Sequence, residues 1–148
     1  MLAVALALGL AVALHAAAAG SITQILPNQS IQAGGRTIRI YDMAWTSSAG
    51  GAVQELPIAL DTPGALMQVD ITPDTGGTQP TDLFDVTLLT AISGGVDLLA
   101  GQGADASNAS VRVLTFDPPI LLTAANLYPT LANAGNAKTG RIRFYIGS

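Results

Sequence analysis

From Ser21 onward, apolar and polar residues alternate in short runs separated by clusters of small, turn-forming residues. Arg36-Thr37-Ile38-Arg39-Ile40-Tyr41 alternates, and Met67, Val69 and Ile71 oppose Gln68, Asp70 and Thr72. Phe84, Val86 and Leu88 oppose Asp85 and Thr87, and Val111 and Val113 flank Arg112. The clearest run places Ile142, Phe144 and Ile146 against Arg141, Arg143 and Tyr145. A period of two between turn signals marks half-buried antiparallel strands. Strands are predicted near 22–26, 36–46, 53–60, 65–72, 83–90, 95–99, 110–116, 119–123 and 140–147. Turns are expected at Ala33-Gly34-Gly35, Ser48-Ala49-Gly50-Gly51, Asp74-Thr75-Gly76-Gly77, Ser93-Gly94-Gly95 and Asn133-Ala134-Gly135-Asn136. About eight strands at roughly ten-residue spacing predict an all-β fold, an antiparallel β-sandwich or jelly roll. Only Thr123 to Leu131 reads as a place for a helical turn, and Pro129 limits it. No composition break divides residues 21–148, so they form one domain, and no internal repeat is visible.

Residues 1–20 follow a different rule. They hold no charged side chain, and large residues (Leu2, Val4, Leu6, Leu8, Leu10, Val12, Leu14) alternate with Ala or Gly. As a strand this gives one bulky and one flat face. As a helix, which Ala and Leu favour, it is apolar all round. The run is short of the roughly 20 residues that span a bilayer as a helix. It fits a signal-peptide core, with Ala17-Ala18-Ala19 before Gly20 as a small-residue cleavage site, although no Lys or Arg lies near Met1. The expectation is an apolar, helical leader: a signal peptide, or a retained anchor or arm whose seven large residues are candidate assembly contacts. A membrane is a partner only if the leader is a signal or anchor.

Composition narrows the chemistry. Hydrophobic residues make up 49% of the 148, yet only 11% are charged and 5% aromatic. There is no cysteine, which excludes disulfides, thiolate nucleophiles and iron–sulfur clusters. The single histidine, His15, lies in the leader, so no Ser–His pair is expected in the domain and no catalytic residue is assigned. Ten acidic residues against six scattered basic ones give a net charge of −4, which argues against a nucleic-acid partner. Asp42, Asp70 and Asp85 are expected on solvated strand faces. Asp74, Asp82 and Asp85 are weak calcium candidates without the spacing of a calcium loop, so turn and capping roles are favoured and no cofactor is expected. Gly101-Gln102-Gly103 has no helix pattern after it and is a poor phosphate cradle. Trp45, Tyr41, Tyr128 and Tyr145 could supply sugar-stacking faces.

The stretch Pro80-Thr81-Asp82-Leu83-Phe84-Asp85-Val86-Thr87-Leu88, followed by Gly95-Val96-Asp97-Leu98-Leu99-Ala100-Gly101 and Gly103-Ala104-Asp105, resembles a group of small tailed-phage virion proteins with a PTD-aromatic-DVTL…GVD-LAG pattern. Asn133 to Gly140 and the strand after it are similar to their C-termini, so the likeness spans residues 36–148. The resemblance implies a β-sandwich structural protein, a capsid decoration or cement component. Its partners would be itself, as a homo-oligomer for which a trimer is expected, and the major capsid protein or other virion proteins. The apolar leader departs from that pattern. If it is cleaved, an exported bacterial surface or pilus-like module gains, and a small carbohydrate-binding module is a further alternative.

Overall fold

The computed structural model describes residues 20–148 apart from 26–28, 34, 54–56 and 61–62. The candidate assembly residues from Leu2 to Leu14 therefore lie outside the described residues. Nine strands occur among those described: β1 (Ser21–Gln24), β2 (Gln29–Ala33), β3 (Arg36–Thr46), β4 (Ile58–Ala59), β5 (Gly64–Pro73), β6 (Asp85–Leu89), β7 (Arg112–Leu122), β8 (Asn126–Ala132) and β9 (Thr139–Gly147). The fold is all-β and every pairing is antiparallel. The larger, six-stranded sheet runs β1-β3-β9-β5-β7, with β2 beside β1 along β3, and the smaller sheet runs β4-β8-β6.

The alternation read along each strand becomes rows across the larger sheet. On the inner face, Tyr41, Phe144, Val69 and Leu114 stand in one row, and Met43, Ile142 and Ile71 in the next. All are buried, and with Val86, Leu88, Leu127 and Leu131 from the smaller sheet they form one core. Trp45 and Phe84 join the two layers, their rings 5.8 Å apart and tilted by 45°. Gly140, the β9 neighbour of Trp45, makes room for the indole: a Cβ there would stand 2.5 Å from its ring and 2.7 Å from the Thr72 carbonyl. Such a tight, mostly aliphatic interior is what a low-aromatic chain can build in two layers.

Several expected elements differ. The runs 110–116 and 119–123 are one strand, β7, which carries Pro118 and Pro119 through a bulge. Between Thr115 and Ile120 it advances five residues while β5 advances two, from Gln68 to Leu66. Proline is accommodated there because an edge strand and a bulge both spare it a ladder bond. Residues 123–131 hold a strand, β8, rather than a helical turn: Leu127, Pro129 and Leu131 are buried in alternation. Pro129 lies between Leu127, the partner of Ile58 in β4, and Leu131, the bridge partner of Val53. Residues 29–33 add β2, which the turn signal at Ala33 concealed. Within 53–60, the described strand is only Ile58–Ala59. Residues 95–99 make a single bridge, Asp97 to Leu89, instead of a strand.

Candidate functional site

Asp97 explains why its segment does not extend. Its Oδ1 accepts the Leu88 and Leu99 amides at 3.1 and 3.0 Å, and its Oδ2 accepts the Gly101 amide at 3.0 Å. One carboxylate thus does what a ladder would do and folds the chain into turns. The Gly-rich loop that follows is tied down from the other sheet. Arg112 donates to the carbonyls of Gln102 and Asp105, at 3.0 and 2.6 Å, and to that of Ala104. The amides of Gly101, Gln102, Ala104 and Asp105 already donate to Asp97, Leu99, Gly101 and Asp85, so they are not a cradle open to a phosphate.

The calcium candidates stay separate. Asp85 accepts the Asp105 amide and the Asn133 side chain, at 3.0 and 2.7 Å. Asp82 accepts the Asn108 amide at 3.1 Å, and Asp74 accepts the Thr139 hydroxyl at 2.5 Å. Each fastens a loop to another loop or to a strand end, as capping carboxylates do. Among the described residues no group of three acidic, histidine or cysteine side chains is placed to hold a metal. Asn108, which opens an Asn-Ala-Ser triplet of the glycosylation type, uses its side-chain amide on the Pro80 carbonyl at 3.2 Å.

Ordered polar chemistry gathers instead on the outer face of the larger sheet. One row reads Asp42, Arg143, Asp70 across β3, β9 and β5. Arg143 Nε donates to Asp42 Oδ2 at 3.0 Å, and Arg141 Nε stands 3.7 Å from Oδ1. Asp42 is only 6% exposed, so it does face outward but is not solvated. The stems of two half-exposed arginines cover it, an arrangement alternation alone cannot foresee. Asp70 accepts from the Tyr145 hydroxyl at 2.9 Å and from Gln68 at 2.6 Å. The hydrogen bond to Asp42 holds the Arg143 pKa above the ordinary arginine value, against partial burial. Burial, then the hydrogen bond to Asp70, raises the Tyr145 pKa above that of a free tyrosine.

Beyond Tyr145 the same face turns apolar. Ile31, Ile38, Gly147, Ala65 and Leu121 stand in one row across five strands. The bulges of β5 at Met67 and of β7 at Phe116–Pro119 open a groove of about 460 Å³ beside it, lined by Ile38, Met67, Phe116 and Pro119 together with the charged Arg36 and Asp117. Neither of those charges makes an ion pair among the described residues. Sequence reasoning missed this groove, because a bulge changes which residues share a face.

The expected aromatic platform does not assemble. Trp45 and Tyr41 are core residues, 1% exposed, and only Tyr128 and Tyr145 are partly accessible. Among the described residues no helix is long and apolar enough to cross a membrane. No protein-family model, curated protein or solved structure matches this chain.

Proposed function

We propose that this chain is a phage virion structural protein, a decoration or cement component that works by assembling with itself on a capsid shell rather than by chemistry. The observation that carries the reading is strand order. The larger sheet's β3-β9-β5-β7 core and the smaller β4-β8-β6 sheet support a jelly-roll reading, in which the remaining strand would lie beyond β6. The bridges of Asp97 to Leu89 and Ala106 to Phe84 mark that position. Jelly rolls recur in viral capsid proteins, which supports the resemblance of the Pro80–Asp105 stretch to tailed-phage virion proteins. In that stretch the acidic residues have structural work: Asp97 and Asp85 fold and fasten loops.

In this reading, binding free energy comes from burying apolar and main-chain surface between copies and shell. The outer face of the larger sheet is suited to it, since Leu121 is 73% exposed beside the apolar groove. The test is mass spectrometry of purified particles of the phage encoding the chain. Copies in stoichiometric ratio to the major capsid protein are expected, and their absence would sink the reading. A second reading, an exported surface module, is favoured by the charge-free run before Ser21. Intact mass of the native protein separates the two: loss of residues 1–19 supports export.

A further inference from the structure

Two edges bound the larger sheet, and they are guarded differently. On one side β1 and β2 present mostly polar residues, and they pair with β3 in registers that differ by two residues. On the other side β7 pairs only with β5, and no backbone hydrogen bond joins its free side to another described residue. Natural edges are protected by charges, prolines or bulges. The half of β7 around Asp117, Pro118 and Pro119 has such protection. The stretch from Val111, which immediately precedes β7, to Phe116 has none, because Arg112, its one charged residue, is turned onto the carbonyls of Gln102, Ala104 and Asp105. Val111 and Val113 are 53% and 54% exposed, and Thr115 is exposed with them.

We infer that Val111–Phe116 is a strand-addition site and that its occupant is the same segment of a second copy, paired antiparallel about a two-fold axis. An antiparallel self-pairing is its own complement: each copy's free amides and carbonyls meet those of the other. Side chains alternate with a period of two, so a register that keeps the sheet faces continuous sets Val113 beside Val113 or Thr115 of the second copy. The outward β-branched residues then merge into one apolar band, a favourable cross-strand arrangement. With Arg112 held by its own loop, the pairing does not bring like charges opposite each other across the new ladder. The inference rests on the assembly reading for its purpose and gives that reading a geometry. A two-fold contact builds dimers or even multiples, in place of the trimer expected from sequence.

The test uses the full chain in solution, by light scattering and by amide hydrogen exchange at several concentrations. The wild type is expected at twice the chain mass or an even multiple. Combining Val111→Lys and Val113→Lys should lower that mass about two-fold or more with an unchanged circular dichroism spectrum. Ile31→Lys, at an exposed position of the opposite edge, should leave the mass alone. Exchange at 112–116 should slow as wild-type concentration rises, a readout that stands even if the double variant does not fold. A monomer at every concentration, a trimer, a mass untouched by the two lysines in a folded variant, or concentration-independent exchange at 112–116 would each overturn the inference. A two-fold dimer missing from purified particles would instead remove the virion reading and leave the pairing in place.

Discussion

The two faces of the larger sheet are built from the same strands and held together by different physics. On β9, the even positions Ile142, Phe144 and Ile146 are buried in the aliphatic core, and the odd positions Arg141, Arg143 and Tyr145 carry the network around Asp42 and Asp70. The inner face depends on shape and volume, which charge screening and pH hardly touch. The outer face depends on directed charge-assisted bonds, which respond to both. A single strand can therefore be probed for two kinds of cohesion by stepping one residue at a time.

Substitutions along β9 and its neighbours sharpen that contrast. Phe144→Ala should cost the most, about 4 kcal/mol in denaturant unfolding, because its cavity opens in a closed row with Tyr41 and Val69. Gly140→Ala follows at about 2–3 kcal/mol, since its methyl would meet both the Trp45 ring and the Thr72 carbonyl, and main chain yields poorly. A loss below about 0.5 kcal/mol for either would mean the inner face is looser than its packing implies. On the outer face, Asp42→Ala should cost about 1–2 kcal/mol, less than for a fully buried pair because the arginines are half-exposed. That loss should shrink in high salt, whereas the Phe144→Ala loss should not; equal salt responses would break the distinction.

Tyr145→Phe should have the smallest effect, about 0.5–1 kcal/mol near neutral pH, measured by thermal or urea melts. Its pH dependence is more telling. The folded state holds the phenol protonated more tightly than the unfolded chain does. The associated stability is complete below the ordinary tyrosine pKa, near 10, and is lost as pH rises through the higher folded value. Wild type should lose stability on that alkaline limb more steeply than Tyr145→Phe. Parallel alkaline limbs would remove Tyr145 from the network.

What the sequence disclosed follows the same division. Strict alternation located β3, β5, β6 and β9 and their inward residues, because one buried face imposes a period of two on every such strand. It failed where another interaction replaced the period. Asp97 satisfied amides with a side chain, so an alternating segment became turns. Pro129 hid β8, although Leu127 and Leu131 flank it at the right spacing. Alternation assigned Asp42 to the outer face, but it carries no record of what lies above a residue. The arginines that bury Asp42 come from β9, about a hundred residues later, and only the register brings them there.

That same register has a consequence in time. β3 and β5 never touch as a ladder; each pairs with β9, which is inserted between them. During synthesis, the ladders that join β3 and β5 to β9 therefore cannot form until residues 139–147 arrive. Contacts so distant along the chain fold slowly, and the waiting edges of β3 and β5 are open to wrong pairings in the meantime. A chain halted before Thr139 is not a smaller version of this domain but two half-sheets lacking their keystone.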